Sequence, residues 1–310
     1  MKFFVGVTDN RWYTHLADLL PDEAVFWQPR DKRPFKILSP YDVFLFKLHS
    51  PLDYIAGGGY FVRHSMLPVS LAWEAFQEKT GAGDFQGFLQ SILKYRGTDR
   101  TVEPDPLIGC IILASPFFFP RADWIPAPED WNRNIVQGKS YDTSESVGRR
   151  LFAQVQERLD NLNYASHEAL AVSEDETRYG SGHLIRPRLG QGAFRVIVTD
   201  AYHRRCAISG ERTLPVLEAV HIRPYAQEGP HHTSNGLLLR KDLHALFDRG
   251  YIAVSEDLRI EISSRIKRDF GNGRDYYAYQ GRRLVEIPDA PQDRPAKEFL
   301  NWHRRNVYLA

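Results

Sequence analysis

Between residues 214 and 250 the chain reads LPVLEAVHIRPYAQEGPHHTSNGLLLRKDLHALFDRG, and the spacing of its apolar runs leaves little choice of local structure. Residues 214–222 make a run of strand length, and 236–239 make a second, shorter one. A polar loop at 223–234 separates them. Residues 241–248 have helical spacing, and Gly250 stands where a C′ glycine ends a helix. A strand, a loop, a short apolar run and a helix in this order place three chemically useful side chains: His221 ends the strand, Asn235 precedes the run, and His244 sits in the helix.

The rest of the chain falls into recognisable stretches. Residues 1–120 read as strands with two helices between them. Runs 2–8 (KFFVGVT) and 43–49 (VFLFKLH) have strand length, and 108–119 (IGCIILASPFFF) is the strongest buried strand. Residues 54–66 (YIAGGGYFVRHSM) read as two strands about a bend, where Gly57, Gly58 and Gly59 offer positive φ or close backbone approach. Residues 70–79 and 85–95 have helical spacing. A long loop rich in Trp, Asn and Pro follows, and such loops in compact domains are often functional. A helix is expected around 144–159, then a polar linker. Beyond it come a helix at 192–203, a short strand and turn at 205–210, the unit already described, a hairpin at 251–262 and a last helix at 296–305. The expected division is 1–160, a linker at 161–187, 188–275, and a C-terminal helical extension at 276–310.

A chain of 310 residues exceeds the usual single-domain size. Its two cysteines, Cys110 and Cys206, exclude a disulfide framework and a four-cysteine zinc cage, and fit a reducing compartment. The apolar run at residues 3–7 is too short for a secretory signal, and no run approaches the roughly 20 apolar residues of a membrane span. A cytoplasmic protein without a membrane partner is expected. Net charge is +1, but residues 181–274 hold 15 Lys/Arg against 10 Asp/Glu and six of the eleven histidines. That mild basic bias suits a domain that contacts phosphate.

The combination VLEAVHIRPY, SNGLLL and KDLHALFDRG resembles the HNH endonuclease family, specifically the branch reading EAAHI…NGLLL…LHxLFDRG. The resemblance implies a ββα-metal nuclease domain that hydrolyses phosphodiesters. Such hydrolysis needs a base to deprotonate water and a cation to stabilise charge at the phosphate. By resemblance His221 is the general base, Asn235 fixes the loop and orients it, and His244 binds the metal, Mg²⁺ or Mn²⁺. Many relatives carry an acidic or histidine ligand immediately before the base, where this chain has Val220. Asp248, at i+4 from His244, is either a second ligand or a helix-end residue paired with Arg240 or Arg249. Cys206 alone cannot hold the structural zinc of many HNH domains, so none is expected. Arg204, Arg205 and Arg223 are either phosphate contacts or merely exposed, and His231 and His232 read as solvated loop residues.

FFVGVTDNRWY, IAGGGYFVRHSMLPVSLAWEAF and IGCIILASPFFFP…DWNRNIVQGKSYD together resemble the PUA-like superfamily of small β-barrels, with its EVE, ASCH and YTH branches. Related barrels read modified bases. The N-terminal region also resembles that of bacterial proteins joining such a barrel to an HNH domain, which act as modification-dependent (type IV-like) restriction enzymes. The expected fold class is α+β: an N-terminal PUA-like mixed β-barrel with helices, plus the C-terminal nuclease domain. The resemblance implies double-stranded DNA carrying a base such as 5-methylcytosine or 5-hydroxymethylcytosine as substrate. A flipped base needs aromatic walls and edge contacts. Trp131, Asn132, Trp12 and Trp27 are the pocket candidates. Cutting both strands with one centre per chain implies a homodimer. The alternatives are a modified-DNA reader with a weakened centre and an HNH nuclease indifferent to modification.

Overall fold

The computed structural model describes residues 1–30, 34–170 and 189–310. The chain divides into two compact units, Met1–Arg188 and Leu189–Ala310.

The first unit runs β1 (Lys2–Thr8), α1 (Asn10–Leu19), β2 (Glu23–Gln28), β3 (Val43–Leu48), β4 (Tyr54–Pro68), α2 (Val69–Phe76), α3 (Phe85–Arg96), β5 (Leu107–Phe118), β6 (Ile125–Pro126), β7 (Gly138–Asp142) and α4 (Ser146–Leu170). The strands form one mixed sheet in the order β2-β5-β4-β3-β1-β7, with β6 added to β4. Among the described residues only β1 and β3 pair in parallel. The sheet curls tightly. Phe26 on β2 and Phe44 on β3 lie 4.9 Å apart between ring centroids, although β5 and β4 stand between their strands. In a flat sheet three strand spacings would separate them by roughly 14 Å. The curl stops short of closure: β2 and β7 do not pair with each other. The expected barrel is therefore an open, strongly curled sheet.

Side-chain alternation along the strands fills both faces. Phe4, Phe44, Phe46, Ile111 and Leu113 face inward, where Trp12, Tyr13 and Leu16 of α1 cover them. Phe3, Val5, Val43 and Leu45 face outward beneath Leu151 and Val155 of α4. Helix α1 has no counterpart among the sequence expectations. Its start is set by Asp9, whose carboxylate accepts from the Arg11 and Trp12 amides at 2.8 and 3.2 Å. The glycine run also differs from expectation. It lies inside a single strand, β4, and serves close approach: a Cβ on Gly57 would stand 2.2 Å from the Phe117 carbonyl oxygen. Helix α4 continues to Leu170, through the first part of the expected linker, and residues 171–187 of that linker lie outside the described residues.

The second unit runs α5 (Gln191–Ala201), β8 (Leu217–His221), β9 (Gly236–Arg240), α6 (Lys241–Asp248), β10 (Ile252–Val254), β11 (Ile260–Ile262), α7 (Arg265–Phe270), α8 (Arg274–Tyr277) and α9 (Lys297–Asn306). Residues 206–210 form a turn rather than a strand. The core joins Phe194 and Val198 of α5 and its C-cap Tyr202 to both strands of the β8–β9 hairpin and to Leu243 and Phe247 of α6. Leu284, Phe299 and Leu300 belong to the same cluster, so part of the expected extension packs into this core. The Cys206 thiol is buried and accepts from the backbone amides of Ser209 and Arg240, tying the turn to the end of β9.

Helix α9 is joined to α6 through His303, which is 3% exposed. Its ring stacks on Phe247 at 3.7 Å and its Nε2 donates to the Phe247 carbonyl at 3.1 Å. Its Nδ1 has no hydrogen-bond partner among the described residues, and burial pushes its pKa down from 6.5 to about 4. Unfolding therefore takes up a proton in that window. The stability due to neutral His303 is complete above pH 6.5 and declines as the pH falls toward 4. The total is about 3 kcal/mol. His303→Phe keeps the stack, and Gly250 N–H already occupies the Phe247 carbonyl. The variant is expected to match the parent protein at pH 7 and to lose less stability by pH 4.5 in denaturant titrations. An equally steep acid loss would refute this role for His303.

Candidate active site

The hairpin, the loop between its strands and α6 together position the histidines. Strand β8 pairs with β9 in unbroken antiparallel register from Leu217–Arg240 to His221–Gly236. The loop that follows is closed by one side chain. Asn235 is fully buried; its Oδ1 accepts from the Arg223 amide at 2.9 Å, and its Nδ2 donates to the Arg223 and Pro230 carbonyls at 2.9 and 3.0 Å. Gly229 packs so tightly that a Cβ there would stand 1.9 Å from the Arg223 carbonyl oxygen.

His221, at the end of β8, stacks face to face on Phe194 at 3.8 Å. Its Nε2 lies 2.9 Å from Nδ1 of His231. Burial first, and the neighbouring His231 second, push its pKa down to about 4. It is a neutral imidazole near pH 7, as a general base must be. His231 is not the solvated loop residue expected. It is half-buried, bonded to His221, and stacked on Tyr225 at 4.5 Å. His232 is exposed and its Nδ1 accepts from the Ser234 amide.

His244, on α6, lies between two carboxylates. Its Nδ1 is 2.6 Å from Glu218 Oε2, and its Nε2 is 3.0 Å from Asp248 Oδ2. The bond to Asp248 raises its pKa, burial opposes this, and Glu218 adds to the rise. Val220, which stands at the position of the missing acidic ligand, is buried in the core. Glu218 lies two residues earlier on the same strand face, and it is the carboxylate that meets His244. The signal was in the sequence: it is the Glu of EAVHI. The two carboxylates sit on opposite ring nitrogens, so they do not converge, and among the described residues no three His, Cys, Asp or Glu side chains gather on one point. The donors fit a divalent ion in one arrangement. His244 Nε2 and Asp248 would be ligands, one helical turn apart, while Glu218 on Nδ1 fixes the ring and its tautomer.

Each arginine considered for phosphate contact has a carboxylate neighbour. Arg204 pairs with Asp200 at 3.4 Å, Arg205 with Glu286 at 3.7 Å, and Arg223 with Glu228 at 3.2 Å. Arg223 also lies 5.8 Å from the Trp302 ring. Arg240 pairs with Asp242, which leaves Asp248 to His244.

The first unit holds a separate cleft of about 290 Å³, near the lower size limit of ligand pockets. Trp12 and Trp27 line it, together with Tyr95, Asp9, Gln28 and Gln137. Trp12 is a core residue at its floor, with its Nε1 donating to the Val25 carbonyl at 3.1 Å. Trp27 and Tyr95 meet edge to face at 5.8 Å, and the Tyr95 hydroxyl donates to Asp9 at 2.8 Å. Burial works against the Asp9 charge, but Tyr95 and two backbone amides outweigh it and hold the carboxyl below its usual range. Among the described residues, Gln28 Oε1 is buried without a hydrogen-bond partner. Trp131 and Asn132 lie outside this cleft. Trp131 packs against the outer-face cluster with the Lys47 ammonium 5.2 Å from its ring, and Asn132 closes a turn by accepting from the Asn134 amide.

Residues 206–255 match a family model described as HNH endonuclease. No curated protein matches the chain in sequence. Among solved structures, a variant of the ZmASCH protein of Zymomonas mobilis is 13% identical, covers 43% of this chain and 92% of its own, and superposes with a TM-score of 0.29. The modification-dependent TagI restriction endonuclease is 14% identical over 93% of this chain and 77% of its own, with a TM-score of 0.27. Superpositions this loose do not define the fold. Among the described residues no helix is long and apolar enough to cross a membrane.

Proposed function

We propose that this chain is a metal-dependent endonuclease that cuts duplex DNA when its first unit holds a modified base. The observation that carries the nuclease reading is the neutral, stacked and hydrogen-bonded His221 at the end of the family's strand. His221 takes a proton from water, and the resulting hydroxide attacks phosphorus as the P–O bond to the leaving strand breaks. His244 and Asp248 would hold Mg²⁺ or Mn²⁺, which when bound supplies charge stabilisation at the phosphate and leaving oxygen. Asn235 keeps the loop in place. Arg204, Arg205 and Arg223 exchange carboxylate partners for phosphates as DNA docks. Glu218→Gln keeps the size of the side chain and removes its charge. A fall of about 10- to 100-fold in Mn²⁺ affinity is expected by calorimetry, and unchanged affinity would remove Glu218 from the centre.

Base reading rests on the cleft. Trp27 and Tyr95 offer faces for stacking, and Asp9, Gln28 and Gln137 offer polar edges. A flipped base fits that combination of walls and edges. Two strands and one centre per chain make a homodimer the working assembly.

The test incubates the protein with Mg²⁺ or Mn²⁺ and four DNAs: unmodified, methylcytosine-containing, hydroxymethylcytosine-containing and phosphorothioated. Cutting of one modified DNA alone supports the full reading. Equal cutting of all four keeps the nuclease and refutes base sensing. Binding to one without cutting of any favours a reader with a weakened centre, a reading that the buried Val220 supports. Trp27→Ala is expected to weaken binding to the preferred DNA by about 10- to 100-fold, as loss of one stacking partner costs roughly 1–3 kcal/mol. Its affinity for unmodified DNA should be unchanged.

A further inference from the structure

We infer that His231 is a positioning residue that fixes the tautomer of His221 and so makes it a base. The inference rests on the reading of His221 as the proton acceptor. A hydrogen bond between two neutral imidazoles holds one proton, and there are two ways to place it. If His231 Nδ1–H donates to His221 Nε2, the only proton on His221 is on Nδ1. Both of its nitrogens are then engaged, and it has no lone pair for water. If His221 Nε2–H donates to His231 Nδ1, the His221 Nδ1 lone pair is open. Only the second arrangement gives a base, and it requires His231 to carry its own proton on Nε2.

The geometry around the pair holds it in register. Phe194 stacks on His221 at 3.8 Å with an interplanar angle of 10°, and Tyr225 stacks on His231 at 4.5 Å with an angle of 16°. The two imidazoles meet at 63° with their nitrogens 2.9 Å apart. The loop carrying His231 is closed by Asn235 through Arg223 and Pro230, the residue next to His231. An imidazole present only for solubility needs none of this. When His221 Nδ1 takes the water proton, an O–H bond breaks and an N–H bond forms. The positive charge that appears on His221 is shared along Nε2–H toward the Nδ1 acceptor of His231, as the partner of a catalytic imidazole does in hydrolytic triads.

Three proteins test this: parent, His231→Ala and His231→Asn. Asn offers an acceptor oxygen close to the place of Nδ1. In ¹⁵N-detected imidazole spectra without metal or DNA, His221 of the parent protein should be the Nε2–H tautomer. His231→Ala should show a mixture, and His231→Asn should restore the parent pattern. On cleavable DNA, kcat should fall roughly 10²-fold in His231→Ala, the scale of loss when a catalytic group is misplaced. KM should be unchanged, and Asn should recover most of the rate. Finding the Nδ1–H tautomer in the parent protein overturns the inference. So does an undiminished kcat in His231→Ala. The spectra need no cutting, so they decide the tautomer even if the parent protein cuts no DNA, an outcome that would count against the nuclease reading instead.

Discussion

His221→Ala is expected to slow hydrolysis of susceptible DNA by about 10²- to 10⁴-fold, the usual contribution of a general base, while DNA affinity stays within a few-fold of the parent protein. The imidazole's pKa of about 4 means that it is neutral around pH 7. Parent activity should therefore lose its dependence on this group above about pH 5 and fall only as the pH approaches 4. The substitution also bares one face of Phe194 and removes the hydrogen bond between His221 and His231. Single-turnover rates at saturating DNA, read beside a binding isotherm, separate that structural cost from the chemical one. A rate within tenfold of the parent would place the base elsewhere.

Asn235→Ala should have the largest effect on stability. It takes the side-chain partner from the Arg223 amide and carbonyl in a part-buried place and one donor from the Pro230 carbonyl. Each orphaned backbone group costs about 1–3 kcal/mol, so a loss of about 2–5 kcal/mol is expected in chemical denaturation of the second unit. An ordinary turn substitution costs about 0.5 kcal/mol or less. Asn235→Asp sharpens the test. It still accepts from the Arg223 amide, but it turns a second oxygen toward two carbonyls, so it should rescue nothing. A loss below 1 kcal/mol in both variants would make Asn235 a simple turn residue.

The second unit was more legible in the sequence than the first, for physical reasons. The hairpin and α6 follow from local spacing and a C′ glycine, and local rules suffice for short elements that pack on one another. In the first unit α1 buries only Trp12, Tyr13 and Leu16, too few positions to display a period, and tertiary packing decides its conformation. Three glycines in β4 mimic a bend, but what crowds them comes from neighbouring strands distant in sequence: the Phe117 backbone at Gly57, the Phe117 ring and Phe44 carbonyl at Gly58, and Leu113 at Gly59. Glu218 escaped because a polar residue on a strand reads as an outward-facing one until α6 is laid across it. His231 escaped because a histidine in a polar loop carries no periodicity at all. Trp131 and Asn132 drew attention as loop residues, yet the cleft is built from strand ends and α3, where Trp27 and Tyr95 meet.

The closed loop under Asn235 has a consequence for the cell that would carry this protein. A loop held by its own side chain does not wait for substrate to take its shape, so the order needed for hydrolysis is already present before DNA arrives. Under the proposed reading, a cutting centre built this way would have no inactive loop arrangement of its own. Protection of the host's chromosome would then fall on which DNA is presented to the centre, and a reader that relaxed its selectivity would be toxic even with every residue around His221 unchanged.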